Sequence, residues 1–300
     1  MARARWLKGN THAHTTNSDG DAPPDAVVRW YEEHGYDFLA LSDHNVLTPP
    51  LVRPTSLTML SAEEVTMPLS VHVNGLGLIS PIPAPLPPTS IPKQARGRWL
   101  LEQAIAAIEG QGGLAHVNHP NWEWALSEEL LASVPAIRFL EIFNGHPDAN
   151  NEGGRRGSGV EAKWDRLLAL GRQVYVLATD DAHDYHGWAP RLRNPGRGWI
   201  YVHTEDTRPS SILAAMQAGE FYASTGVELA AYDVRGRELD LALGGPPALI
   251  ELLGPGCQVL EREHGIEARF LAPQSQPYVR VRVTSGAKHA WLQPVFPLSR

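Results

Sequence analysis

The sequence contains one cysteine, Cys257, and this scarcity excludes several kinds of site. A single cysteine cannot form an internal disulfide, a CxxC redox pair or a cysteine-based zinc cage. Long hydrophobic runs are also missing: no stretch of about 18 apolar residues occurs, and the N-terminus has no apolar segment of signal-peptide length. We therefore expect no transmembrane helix, no membrane partner and a cytoplasmic location.

Lysine is scarce as well, with 4 of the 26 basic residues, and 33 acidic residues give a formal net charge of −7 at pH 7. Surfaces that bind extended nucleic acid are basic, so this composition argues against one. It still permits a small anionic substrate held by a few cations. At 300 residues the chain is long enough to bury a core that needs no disulfide.

The order of local patterns predicts two domains. Up to Gly226, short apolar runs such as residues 38–42 alternate with helical periodicity such as residues 99–110. This repeated strand–helix order predicts an α/β domain with a parallel sheet, open or closed into a barrel. After Gly226, residues 278–284 alternate apolar and polar side chains, as half-buried antiparallel strands do. We therefore place an α/β domain at 1–226 and a small all-β, sandwich-like domain at 227–300.

Histidine is abundant, with 13 residues, and histidines and acids occur where the predicted strands end. His12 and His14 lie two apart at the end of the first strand, so both project to one face. Asp181 and His183 end a later strand in the same way. Because the carboxyl ends of barrel strands form one rim, these groups should meet there. Imidazole and carboxylate ligands suit zinc, manganese and iron.

At these positions the sequence resembles the polymerase and histidinol phosphatase (PHP) family of metallohydrolases. The matching segments are NTHAHTTNSDG (10–20), LSDHN (41–45), AEEVT (62–66), GLAHVNHP (113–120) and TDDAH (179–183). The resemblance implies a distorted seven-stranded (β/α) barrel with two or three divalent metal ions, and hydrolysis, most often of phosphoesters. Within the family the chain is most similar to the branch that includes carbaryl hydrolase. That similarity lies in NHPNW (118–122), GRGW (196–199), GEFYASTG (219–226) and the C-terminal β domain.

The resemblance also implies a set of nine metal ligands. They are His12, His14, Asp19, His44, Glu64, His72, His119, Asp181 and His183. One ion would be held by His12, His14, Glu64 and Asp181, a second by Asp19, His44 and His183, and a third by His72, His119 and a bridging Glu64. Glu64 is chosen over Glu63 by the family's acid–apolar–Thr pattern, and Asp181 over Asp180 by the Asp-x-His spacing.

These features predict a metal-dependent hydrolase that uses a metal-bound hydroxide, because bound ions lower the pKa of water toward ~7. A small-molecule phosphoester is the favoured substrate. We expect His183, His119 and Asp181 to act in catalysis. Two alternatives stay open: a carbamate or aryl ester hydrolase at the same centre, and a metal-stabilised binding domain without turnover.

Other polar residues near this rim have open roles. Arg191, Arg193 and Arg197 follow the Asp181 strand, and we expect Arg191 and Arg197 to bind substrate phosphate through their guanidinium groups. Glu141 and Asn144 end another strand, where they would either orient a ligand histidine or make structural hydrogen bonds.

Overall fold

The computed structural model describes residues 4–48, 51 and 54–296 and shows a mixed α/β fold with many strands and few helices. Its helices are α1 (Pro24–Glu33), α2 (Arg96–Glu109), α3 (Glu128–Ala132), α4 (Val160–Ala169) and α5 (Pro209–Ala218). None of the helices in these residues has the length and apolarity needed to cross a membrane.

The strands fall into an N-terminal and a C-terminal series. The first is β1 (Arg5–Asn10), β2 (Phe38–Ala40), β3 (Thr58–Leu60), β4 (Ala62–Met67), β5 (Val71–Leu76), β6 (Leu114–Val117), β7 (Phe139–Asn144), β8 (Gly153–Gly154), β9 (Gly157–Ser158), β10 (Tyr175–Thr179), β11 (Trp199–Thr204) and β12 (Phe221–Ser224). The second is β13 (Leu229–Arg235), β14 (Glu238–Leu243), β15 (Ala248–Gly254), β16 (Gln258–Gly265), β17 (Glu267–Leu271), β18 (Arg280–Ser285) and β19 (Lys288–Leu292).

Helical periodicity located the amphipathic helices closely. In α2 the apolar face of Leu100, Leu101, Ala104, Ile105 and Ile108 is buried, and the helix packs on β5 and β6. This spacing places apolar side chains on one face of a helix that covers a sheet. The helix therefore fixes the outer surface of the strands that carry part of the site.

Two larger sheets contain most of the strands, and they are mixed. One has the order β10-β7-β6-β5-β4, and the other has the order β16-β15-β18-β19-β12-β11-β1-β2-β3. The predicted parallel pairing holds for β1–β2, β2–β3, β6–β7 and β7–β10. It is wrong for β4–β5, β5–β6 and β1–β11, which are antiparallel. A short turn at Pro68–Ser70 joins β4 to β5, and a parallel pair would need a long crossover there.

The matching segment 62–66 lies in strand β4. Only Ser61 separates it from β3, so one extended stretch passes from the nine-stranded sheet into the five-stranded sheet. At the site edge, isolated bridges join Ala13 to Ala182 and His44 to Glu64 in parallel. The two sheets are therefore connected directly beside the candidate ligands.

Four of the C-terminal strands, β15, β16, β18 and β19, extend the nine-stranded sheet, and β13, β14 and β17 form a separate three-stranded sheet. Pairing of β12 with β19 carries the nine-stranded sheet past residue 226. Tyr278 and Trp291 pack in the same hydrophobic cluster as Trp164 of α4. The Gln293 side chain bonds both backbone groups of Val176 in β10, accepting from its N–H and donating to its carbonyl at 2.9 Å each. The division into domains at 226 and 227 stays a prediction.

A buried ionic network lies between α4 and the C-terminal strands. Arg280 has no solvent exposure, and its guanidinium lies 2.5 Å from Glu161 and over the Trp164 ring. Arg282 bonds Glu161 at 3.0 Å and Glu251 at 2.9 Å. Because an unpaired buried charge is costly, this network ties the C-terminal strands to α4.

Candidate metal centre

The structure brings the side chains of all nine predicted ligands into one cluster, with Glu64 at its centre. The two Glu64 oxygens lie within 3.4 Å of five imidazoles, those of His12, His14, His44, His72 and His119. The side chains of Glu64, His12 and His14 have at most 1% exposure. Four segments of the chain, which carry His12 and His14, His44, His72 and His119, thus meet at one buried carboxylate.

Asp181 and Asp19 complete the cluster. Asp181 Oδ1 lies 3.2 Å from Nε2 of His12 and also 3.2 Å from Nε2 of His14. Asp19 Oδ1 lies 3.3 Å from His183 Nε2 and 3.6 Å from His44 Nε2. The Asp19 side chain is 50% exposed, so the cluster opens to solvent on that side.

Four overlapping sets of donor atoms are compact enough to hold an ion. They are His14, Asp19, His44 and His183; His12, His14 and Glu64; His12, His119 and Asp181; and His44, Glu64 and His72. These sets share most of their members with the three ligand groups predicted from the sequence. They differ in that His14 also belongs to the set that contains Asp19, and His72 is grouped with His44. Which of these sets bind ions stays a prediction.

The two choices between adjacent acids agree with this geometry. Glu63 faces away, and its carboxylate accepts the Ile82 N–H at 2.6 Å. Asp180 also faces away and accepts hydrogen bonds from the Tyr31 hydroxyl and from the N–H groups of Arg197 and Gly198. Glu64 and Asp181 are therefore the members of each pair that lie in the cluster.

Glu141 orients His12. Its Oε1 lies 2.7 Å from His12 Nδ1, and its Oε2 accepts the His119 N–H at 2.7 Å. Thr179 and Asn144 donate to the same carboxylate. With Nδ1–H bonded to a carboxylate, Nε2 is the nitrogen of His12 that faces the cluster, and it would bind an ion after losing its own proton. The sequence left the role of Glu141 open, and these contacts assign it to positioning.

Backbone strain occurs at two of the candidate ligands. Asp181 has a φ of 49° and His119 a φ of 23°, values that side-chain-bearing residues rarely adopt. The Asp181 N–H donates to the His12 carbonyl at 2.9 Å, which holds this conformation. Strained conformations concentrate at functional sites, where the surrounding structure maintains them.

The electrostatics keep the acids of the cluster ionised. Burial raises the pKa of Glu64 and of Asp181, but the facing imidazoles outweigh it and hold both well below the ordinary range. In His12, burial lowers the pKa, but the Asp181 and Glu141 carboxylates outweigh it and raise the pKa well above normal. The pKa of His14 is lowered to about 4 by burial and by His183. Ionised carboxylates are the form that metal ligation requires.

Several buried polar atoms of the cluster are available to bind a cation. Within the described residues, His12 Nε2, His14 Nε2, Glu64 Oε2 and His119 Nδ1 are buried and have no hydrogen-bond partner. Buried polar atoms without partners are costly, so their concentration in one place needs an explanation. Three of the four are aimed at neighbouring acids and imidazoles of the cluster, as ligands of a shared ion would be.

The arginines that follow Asp181 differ in position. Arg193 Nη1 lies 3.8 Å from Asp19 Oδ2, and its Nε and Nη2 donate to Asp184 at 3.2 Å. Arg197 Nη1 donates to the Gly145 carbonyl at 2.9 Å, while Arg191 is exposed. Arg193 is thus the arginine held beside the cluster, and substrate binding by Arg191 and Arg197 stays a prediction.

Sequence reasoning assigned no role to His146 or Trp122, although both lie beside the cluster. The His146 ring is 6.2 Å from the His183 ring and 4.5 Å from the Trp122 ring, and Trp122 is 6.0 Å from the His119 ring. Burial lowers the pKa of His146. His146 lies two residues beyond the end of β7, in a loop that no periodic pattern identifies.

The fold is similar to that of a solved two-domain protein from Bacteroides vulgatus that contains a predicted PHP-like metal-dependent phosphoesterase. The two chains are 16% identical, the alignment covers 94% of this chain and 91% of that chain, and the TM-score is 0.52. An amidohydrolase from Chromobacterium violaceum is also 16% identical, with 62% and 93% covered and a TM-score of 0.41. At 16% identity, the similarity to the Bacteroides protein shows a shared fold and nothing further. No protein-family model and no curated protein matches the sequence.

Proposed function

We propose that the protein is a metal-dependent hydrolase of the PHP family that acts on a small phosphoester. The observation that carries the proposal is the convergence of six histidines and three acids in one cluster, several of whose donor atoms have no hydrogen-bond partner. The mixed nitrogen and oxygen donors suit two or three ions of zinc, manganese or iron. The fold shared with a protein that contains a PHP-like domain supports the family assignment.

The barrel proposed from the sequence is supported by the links between the sheets. The bridges Ala13–Ala182 and His44–Glu64 join the ends of β1 and β10 and the ends of β2 and β4. Together with the five-stranded sheet and the β1–β2 pair, they would close β1, β2, β4, β5, β6, β7 and β10 into a distorted ring. In such a ring, His12, His14, Asp181 and His183 follow the C-terminal ends of β1 and β10, as site residues do in parallel barrels, whereas Glu64 and His72 lie within β4 and β5.

In this proposal, bound ions lower the pKa of a water toward ~7 and offset negative charge on the substrate. The protein side chains present the donors in a fixed geometry. Glu141 keeps the proton of His12 on Nδ1, and the Asp181 carbonyl, 2.8 Å from His183 Nδ1, leaves Nε2 of His183 facing Asp19. His183, His119 and Asp181 are the residues proposed for catalysis, and each keeps 4–6% of its surface exposed.

Arg193 supports a phosphoester substrate. Its guanidinium is held by Asp184 beside Asp19, the most exposed acid of the cluster. A phosphate that approaches from this open side would meet a cation already fixed in place, and arginine recognises phosphate oxygens through paired hydrogen bonds. We therefore add Arg193 to Arg191 and Arg197 as a proposed substrate-binding residue.

A substrate panel tests the proposal. Protein loaded with manganese or zinc should hydrolyse 4-nitrophenyl phosphate, its diester or a nucleoside phosphate, and Asp181→Asn should abolish that turnover. Hydrolysis of an aryl carbamate alone would favour the carbamate alternative. Bound ions with no turnover on the whole panel would overturn the hydrolase proposal in favour of a metal-stabilised binding domain.

A further inference from the structure

Trp122 and His146 form an aromatic corner next to the metal cluster. Their rings meet edge-to-face at 79° with centroids 4.5 Å apart. Trp122 also lies 6.0 Å from the ring of His119, and His146 lies 6.2 Å from the ring of His183. Both side chains are partly exposed, so the corner borders both the cluster and the solvent.

The hydrogen bonds of His146 fix its tautomer. The Asp148 N–H donates to His146 Nδ1 at 3.1 Å, so Nδ1 is an acceptor and the neutral ring carries its proton on Nε2. The His146 N–H itself donates to Asn144 Oδ1 at 2.8 Å. Within the described residues, Nε2 has no hydrogen-bond partner. The ring therefore offers one N–H donor to a bound molecule.

The corner and Arg193 lie beside neighbouring members of the cluster. Arg193 is 3.8 Å from Asp19, which lies 3.3 Å from His183, and Trp122 and His146 adjoin His119 and His183. The charged or titratable groups that act on His146 are Asp181, His183, Asp148 and Arg193. A phosphoester has one charged end and one leaving group, so a cation and an aromatic surface beside the same cluster offer a contact for each.

We propose that Trp122 and His146 form the leaving-group subsite, which takes a planar aromatic group whose ester oxygen accepts a hydrogen bond from His146 Nε2. This inference rests on the proposed hydrolase function and names its substrate class as aryl phosphoesters. The Trp122 ring provides a flat apolar surface, and paired aromatic rings contribute roughly 0.5–1.5 kcal/mol beyond the area that they bury.

Hydrolysis of the ester bond requires His146 only as a hydrogen-bond donor and not as a source of a proton. Water adds its hydroxyl to phosphorus, the phosphorus–oxygen ester bond breaks, and the ester oxygen leaves with the bonding electron pair as a phenolate. The water's remaining proton passes to solvent, and solvent protonates the phenolate according to its own pKa. His146 keeps its proton and stabilises the charge that develops on the leaving oxygen, as preorganised donors do.

Binding of two phosphonates tests the aromatic surface without turnover. Metal-loaded protein is titrated with phenylphosphonate and with methylphosphonate, which share the anionic end. The Trp122→Ala variant should bind phenylphosphonate about 3–10-fold more weakly, in line with the loss of an aromatic pair, and should bind methylphosphonate as wild type does. Equal weakening of both ligands, or of neither, would overturn the assignment of Trp122.

A leaving-group series tests the role of His146. His146→Phe keeps a ring against Trp122 but has no N–H, and His146→Gln restores a donor near the position of Nε2. His146→Phe should lose more kcat with phenyl phosphate than with 2,4-dinitrophenyl phosphate, because the poorer leaving group depends more on the donor. His146→Gln should recover part of that difference. A uniform loss across the series, or no loss, would contradict the inference.

The metal content of each variant separates the two proposals. Trp122→Ala, His146→Phe and wild type should contain the same number of ions per chain, since neither residue belongs to the donor sets. Failure of wild type to hydrolyse any phosphoester with ions bound would refute the proposed function. Activity in wild type with an unchanged leaving-group dependence in His146→Phe would refute only the subsite.

Discussion

Glu141 and His12 form a fully buried pair in which Oε1 lies 2.7 Å from Nδ1, and this contact points Nε2 of His12 into the candidate metal centre. Carboxylates that hold a ligand histidine in this way raise its basicity and fix its orientation. We predict that Glu141→Gln lowers metal affinity about 10–100-fold. Competition with a chelator measures the affinity. The control is Glu63→Gln, because the Glu63 carboxylate lies outside the cluster and accepts the Ile82 N–H. This variant should leave the metal affinity unchanged.

Asp180 and Asp181 are adjacent in the sequence, and their substitution provides a second matched pair of variants. Asp181→Asn should remove at least one ion per chain, because Asp181 Oδ1 lies 3.2 Å from two of the candidate histidines. Asp180→Asn should retain all ions and lower only the stability, because Asp180 bonds Tyr31 and two backbone N–H groups. Elemental analysis of untagged protein measures the ions. Equal ion counts in Asp181→Asn and wild type would contradict the cluster.

His116 makes stability depend on pH. It is fully buried beside His12, and burial lowers its pKa to about 4. Between this value and the unfolded pKa near ~6.5, the unfolded chain binds a proton that the folded chain does not, so stability falls as the pH falls. Between pH 7 and pH 5, wild type should lose about 2 kcal/mol more than His116→Leu.

Urea denaturation at both pH values, with a chelator present, checks this prediction, because the chelator removes the separate effect of pH on metal binding. The other titrating groups are shared by the two proteins, so their contributions cancel in the difference. Parallel losses in wild type and His116→Leu would show that His116 is not the group responsible.

The Arg280 network should contribute strongly to stability. Glu161 contacts both Arg280 and Arg282, so Glu161→Gln leaves the buried Arg280 with less compensation. We expect a loss of about 3 kcal/mol in the free energy of unfolding. The control is the exposed Arg98–Glu102 pair, where Glu102→Gln should cost under about 1 kcal/mol. Similar losses in both variants, measured by urea denaturation, would contradict the prediction.

Local patterns predicted the helices and the residues of the site better than the sheets. Two pairs of residues, His12 with His14 and Asp181 with His183, were identified from local sequence. The members of each pair lie two residues apart at a strand end, so a single segment contains the whole pattern. The antiparallel pairing of β5 with β6, and the join between β12 and β19, depend on contacts between distant segments. Composition and periodicity carry no information on such partners.

The aromatic corner of Trp122 and His146 was not predicted from the sequence, for a similar reason. Trp122 lies in a short irregular turn, and His146 lies in a loop, so neither belongs to a periodic pattern. Their meeting depends on the paths of two loops, which side-chain spacing does not determine. Arg193 was one of three arginines in a single loop, and only the contacts with Asp184 and Asp19 distinguish it from Arg191 and Arg197.

The pairing of Gln293 with Val176 has a consequence for self-association. Strand β10 is the last strand of the five-stranded sheet, and unpaired N–H and carbonyl groups on such a strand can recruit a strand from another molecule. The Gln293 amide satisfies one N–H and one carbonyl of β10 as a neighbouring strand would. A side chain from the C-terminal region therefore occupies the backbone groups of Val176 that a strand of another molecule would need in order to pair there.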